Sequence, residues 1–80
     1  MIKPYIVDIR NLDYTQLSQL IERMKKESPS GLMINPGRSH MVMFYEGPEY
    51  TIPNLASILN IQPDRLTILG TFVPRDWRQY

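Results

Sequence analysis

From Tyr5 to Arg10 apolar and polar side chains alternate, so that Tyr5, Val7 and Ile9 fall on one face and Ile6, Asp8 and Arg10 on the other. This is the period of a strand. The period then lengthens. Asp13, followed three residues later by Gln16, has the spacing of a capping box, and Leu17, Leu20, Ile21 and Met24 recur at helical intervals behind it. Lys25 and Lys26 suit the negative end of that helix, and Ser28-Pro29-Ser30-Gly31 ends it because proline cannot continue the hydrogen-bond ladder. Leu32-Met33-Ile34 predicts a short strand and His40 to Tyr45 a longer one. Asn35-Pro36-Gly37-Arg38 joins them as a type II turn in which Gly37 takes the positive φ. Glu46 to Glu49 breaks the pattern again. Thr51 is placed to cap a second helix that carries Pro53 in its first turn and Leu55, Ile58 and Leu59 as its buried stripe. Asn60 to Arg65 holds a helix stop and a proline turn, and Leu66 to Val73 reads as a last strand with Gly70 as a bulge. The remainder, Pro74 to Tyr80, is a polar and aromatic tail.

The order strand, helix, strand, strand, helix, strand predicts an α+β fold. It fits a ferredoxin-like βαββαβ sandwich, with a four-stranded antiparallel sheet and two helices on one face. No internal repeat, low-complexity tract or linker divides the 80 residues, so the whole chain is expected to be a single domain. A chain of this size buries roughly 60% of the surface it would expose unfolded, which predicts modest stability. The absence of cysteine excludes disulfides, thiolate zinc sites and a cysteine nucleophile. Met1-Ile2-Lys3-Pro4 lacks the build of a secretory signal, and no apolar run approaches the ~20 residues of a membrane span. The expectation is a soluble cytoplasmic protein. A formal net charge of +1 and a pI of about 8.1 fall short of the balance that grips duplex nucleic acid.

Two helices cover one face of such a sheet and leave the other open. If Tyr5, Val7 and Ile9, with Met41, Met43 and Tyr45, point to the helices, then Ile6, Val42 and Phe44 form an apolar patch edged by Asp8, Arg10, Arg38 and His40. If the faces are reversed, the outer surface carries Tyr5, Met41, Met43 and Tyr45 and is no less apolar. Either surface suits a partner or a second copy of the chain. A third arrangement folds the tail, with Trp77 and Tyr80, over the sheet to close it. Arg75-Asp76-Trp77-Arg78-Gln79-Tyr80 also combines arginine with tryptophan and tyrosine, the residue types found at interface hot spots.

The stretch Val7 to Thr15 resembles the first conserved motif of RNA recognition motif domains, and Arg38 to Tyr45 occupies the place of the second. The resemblance spans about seventeen residues and implies single-stranded RNA bound on the two central strands by base stacking. Asp8 stands where the first motif has its aromatic residue, and His40 and Val42 stand at the stacking positions of the second. Phe44 is a further aromatic beside them. Arg10, Arg38, His40 and Phe44 would carry that binding. Asp8 also occupies a position similar to that of the metal-binding aspartate in small ferredoxin-like nucleases, where a symmetric dimer brings two carboxylates to one magnesium ion. Its simpler role is an ion pair with Arg10 or Arg38. The single histidine, His40, has only Asp8 or Glu46 as an acid–base partner, and the four glycines are isolated from one another, so no catalytic set and no phosphate loop emerges. The expectation is a small non-catalytic inhibitor or adaptor without cofactor or metal. It would bind a larger protein through Ile6, Arg10, His40, Val42 and Phe44 on the sheet and Trp77 and Arg78 in the tail, with RNA binding as the alternative.

Overall fold

The computed structural model describes residues 2–28, 31–46, 52–69 and 75–79. Strand β1 (Ile2–Asp8) leads to helix α1 (Tyr14–Glu27), the hairpin of β2 (Leu32–Ile34) and β3 (His40–Glu46), helix α2 (Ile52–Leu59), a 3-10 turn (Pro63–Arg65), and strands β4 (Leu66–Ile68) and β5 (Arg78–Gln79). The strands form one antiparallel sheet in the order β4-β1-β3-β2-β5. The expected four strands are therefore five. The tail supplies the extra one by pairing Arg78 with Ile34 and Gln79 with Met33, so its described part extends the sheet and does not close over it.

The face left open by the sequence is settled by burial. Tyr5, Val7 and Ile9 of the β1 segment and Met41, Met43 and Tyr45 of β3 join Leu20 and Met24 of α1 and Leu55, Ala56 and Leu59 of α2 in one core. Tyr5 and Tyr45 meet edge to face at 6.4 Å within it. Ala56 takes the place expected of Ile58, which lies on the flank of α2 and is 39% exposed. An eight-residue helix turns its axis-facing stripe by 100° per residue, and positions 52, 55, 56 and 59 share a side that 58 leaves.

The local signals are realised closely in α1. Asp13 Oδ1 accepts from the Gln16 backbone N–H at 2.8 Å, and Gln16 Oε1 accepts from the Asp13 N–H at 3.1 Å, completing the capping box. The helix ends at the buried Ser28, whose N–H donates to the Met24 carbonyl at 2.8 Å. Its hydroxyl donates to the Gly31 carbonyl and accepts from the Phe44 N–H, which ties the end of the helix to β3. At the end of α2, Asn60 takes φ 58°, with the Asn60 N–H on the Ser57 carbonyl and the Ile61 N–H on the Ala56 carbonyl. That is a Schellman stop with asparagine in the left-handed position. The proposed Thr51 cap and Gly70 bulge lie outside the described residues.

Two further expectations change. β1 begins at Ile2, not Tyr5, and takes in Pro4 although it pairs on both sides. The Pro4 carbonyl accepts from the Leu69 N–H at 3.0 Å, so the missing Pro4 donor lies on the β4 side, past the paired residues, and the β3 ladder loses nothing. In the β2–β3 turn Arg38, not Gly37, carries the positive φ, at 56°. Asn35 makes this possible: its carbonyl accepts the Arg38 N–H, its Oδ1 accepts the Ser39 N–H and its Nδ2 donates to Ser39 Oγ. These bonds hold the chain through the turn and offset the ~1–2 kcal/mol that a side chain costs in the left-handed region.

Gly31 is the glycine whose freedom the fold uses: its φ is 87°, and a Cβ there would meet Gln79 Nε2 at 2.9 Å. Gly31→Ala is expected to lower stability by about 1–2 kcal/mol, chiefly through the backbone since the amide can swing away. Urea unfolding of the two proteins measures it, and equal midpoints would contradict the assignment.

Candidate functional site

The sequence-predicted site residues divide between two surfaces. Side chains at 4, 6 and 8 of β1 and 40, 42 and 44 of β3 share the face away from the helices, as the pairings Pro4–Phe44, Ile6–Val42 and Asp8–His40 require. Met33 of β2 joins them opposite Val42. Arg78 instead shares the helix side with Ile34 and Met41. Phe44 and Arg78 therefore address opposite sides of the sheet, and Trp77, half-buried, directly precedes β5. Sequence reasoning grouped them because the tail had no visible strand period.

On the face away from the helices, Ile6, Met33, Phe44 and His40 are half-buried. Val42 is 0% exposed although it is not part of the main core. Pro4 is buried as well. These residues form a second, thin apolar layer whose middle is Val42 and whose accessible parts are its neighbours. Val42 supports this surface and is not itself available for contact.

The polar end of the layer is where β1 leaves the sheet and β3 enters it. Arg10 folds back on Asp8, with Nε at 3.0 Å from Oδ1 and Nη2 at 2.7 Å from Oδ2, and its backbone N–H also donates to Oδ1 at 2.9 Å. These bonds from the Arg10 side chain, then from its backbone, hold the Asp8 carboxyl well below the usual carboxylate range, against a small opposing effect of burial. Arg65 Nη1 donates to the carbonyls of Asp8 and Arg10 at 2.9 Å each, clamping the exit of β1 to the turn before β4. Arg65 was not among the predicted residues. Its signal, an arginine after a proline turn, is indistinguishable in sequence from a solvated one.

Asp8 and His40 are neighbours across the strands, as expected, but each is already engaged. Both Asp8 oxygens take Arg10, and His40 Nδ1 lies 3.0 Å from Ser39 Oγ in the Asn35 network. Among the described residues no cluster of three His, Asp or Glu side chains is arranged to hold a metal ion. No helix of the described residues is long and apolar enough to cross a membrane.

The second surface is a cleft of about 410 Å³ between the start of α1 and the β2–β5 edge. Leu17, Ile21 and Ile34 form its apolar floor, each packed against the core from outside. Tyr14, Arg38 and Arg78 stand around it. Tyr14 is 86% exposed, the most accessible of the large apolar side chains described. The sequence offers a faint signal for it: the ring stands one turn before Leu17 and two before Ile21, at the edge of the helical stripe. A larger cleft of about 500 Å³, between α1 and the end of α2, is lined by Gln16, Gln19, Gln62, Arg23 and Arg65 along with core-edge apolar residues. No protein-family model, curated protein or solved structure matches the chain.

The Asp8–Arg10 pair has a pH signature. The unfolded carboxyl titrates near ~4 and the folded one lower, so the pair's contribution is complete above the unfolded value and is lost as pH falls toward the folded one. Asp8→Asn is expected to be less stable than the native protein at neutral pH, with the gap closing in acid. Urea titrations of both at neutral and acidic pH measure this, and a gap that widens in acid would refute it. Arg65→Met, which removes charge-assisted bonds to two carbonyls, is expected to cost about 1–3 kcal/mol in the same assay.

Proposed function

We propose that this chain is a small, non-catalytic, cytoplasmic binding protein of ferredoxin-like architecture with an added edge strand, acting as an inhibitor or adaptor of a larger protein. The observation that carries the reading is the second apolar layer. Ile6 and Phe44 remain partly accessible on a sheet face that neither helix covers, around a Val42 buried to the limit. An apolar patch with a polar edge matches the make-up of a protein interface, in which a buried centre is ringed by polar groups. The groups best placed for acid–base chemistry, Asp8 and His40, are engaged in hydrogen bonds that hold strand ends and a turn together. The same engagement weighs against RNA as the first partner. Arg10 is spent on Asp8 and so offers phosphate no free cation beside His40 and Phe44.

The test is affinity capture with the tagged chain, with and without ribonuclease, beside Phe44→Ala. A protein retained in stoichiometric amount through ribonuclease, and weakened about tenfold or more by Phe44→Ala, is the expected result. Thermal melting of the variant guards against a folding defect. RNA retained together with proteins that ribonuclease releases would replace this reading with the RNA-binding one. Val42→Asp is unsuitable here because it buries a charge and would abolish binding by unfolding.

A further inference from the structure

The cleft beside Tyr14 has a chemistry of its own. Its floor is Leu17, Ile21 and Ile34, and it is flanked by one exposed ring and two guanidinium groups contributed by separate parts of the chain, the β2–β3 turn and the tail strand. Among the described residues no acidic side chain lines it. Among the described residues neither Arg38 nor Arg78 has a carboxylate partner, in contrast to Arg10. Elsewhere on the same sheet an arginine near a carboxylate closes on it, so two unpaired arginines beside apolar surface leave a local positive potential over the cleft. Exposed Tyr and Arg beside an apolar depression are the residue types and shape that anchor protein partners.

We infer that this cleft binds an acidic segment of a partner protein, seating an apolar side chain on Leu17, Ile21 and Ile34 against Tyr14 while flanking carboxylates meet Arg38 and Arg78. The inference builds on the protein-binding reading and names the charge of the partner. Carboxylate is favoured over a nucleic acid occupant because the floor is aliphatic and the ring is single, whereas single-stranded recognition stacks successive bases on several rings. A guanidinium pairs with carboxylate in a fork geometry, and rim charges of this kind set partner choice and association rate. Arg38 has a further property useful for a test. Because it holds a positive φ, replacing it by glycine removes the charge and relaxes the backbone together.

The experiment is selection of a random twelve-residue peptide display library on the intact chain, followed by titration of the enriched peptides into isotopically labelled protein. Enriched sequences are expected to place acidic residues around a Leu, Phe or Met and to shift the amides of Ser18, Ile21, Asn35 and Arg78. Tyr14→Ala should weaken them about fivefold or more, and the double variant Arg38→Gly, Arg78→Glu about tenfold. Arg38→Gly alone should weaken them while leaving the melting temperature equal or higher, which separates lost contact from lost fold. Enrichment of neutral or basic sequences, no enrichment at all, shifts confined to Ile6 and Phe44, or undiminished binding by the double variant would each overturn the inference. So would tight binding of a twelve-nucleotide uridine RNA at the cleft. In the capture experiment, a partner lost with Phe44→Ala but kept with the double variant would overturn the cleft alone, whereas a partner kept with both would overturn the protein-binding reading of the sheet face.

Discussion

The pairing of β1 with β3 fixes both faces of the molecule at once. From Ile2 opposite Glu46 to Asp8 opposite His40, odd-numbered residues of one strand meet odd-numbered residues of the other, and even meet even. Because side chains alternate strictly, this single register sends Tyr5, Val7, Met41 and Met43 to the helices and Ile6, Val42 and Phe44 away from them. A slip of β1 by one residue against β3 would pair odd positions with even ones and turn Ile6 and Asp8, in place of Tyr5 and Val7, toward the helices. The two helices, the hairpin and the added edge strand all depend on that choice, since α1 and α2 bury their stripes against its odd-numbered side and β4 and β5 extend its plane.

Where the central strands end, polar groups serve the backbone. Asp8 recruits Arg10, Arg65 reaches the carbonyls of both residues, and Asn35 with Ser39 secures the turn that leads into His40. Every one of these bonds links residues that the chain must hold as it leaves or enters a strand. The Asp8–Arg10 pair is itself partly solvated, with the arginine side chain 63% exposed and the carboxylate 23%, so its use is geometric more than energetic. Surface with less internal commitment is found at the rim of the second apolar layer and at the cleft whose arginines, Arg38 and Arg78, have no carboxylate partner among the described residues.

Features with a local cause were legible in the sequence. The capping box of α1, its stop at Ser28, the helix stop that begins at Asn60 and the alternation of β1 and β3 each follow from residues a few positions apart. Features that depend on distant pairing were not. Arg78 and Gln79 make a strand only because β2 offers an edge, and two polar residues carry no period to announce it. That omission also merged the two candidate surfaces, since the side on which Arg78 stands is known only once its partner Ile34 is known. The enclosure of Val42, on the side away from the helices and between Ile6 and Met33, likewise has no signal in its sequence neighbours. That β1 reaches back through Pro4 to Ile2 depends on where the proline's missing donor falls, which only the pairing reveals. At the turn, glycine was the natural candidate for a positive φ, but the Asn35 side chain shifted that strain one residue onward.

The centre of the core is rich in sulfur. Met24, Met41 and Met43 are all fully enclosed, whereas Met33 sits partly accessible on the opposite side of the sheet. Unbranched thioethers fill irregular space and tolerate neighbours of different shape, so the interior can accommodate changes in α1 or α2 more readily than a core of branched side chains. Peroxide attacks thioethers in proportion to their access, and an oxidised sulfur is too polar to return to such an interior. Met33 can react while the chain stays folded, but the three enclosed sulfurs must wait for the structure to open. The order in which the sulfurs oxidise is thus an internal clock for how often this domain comes apart.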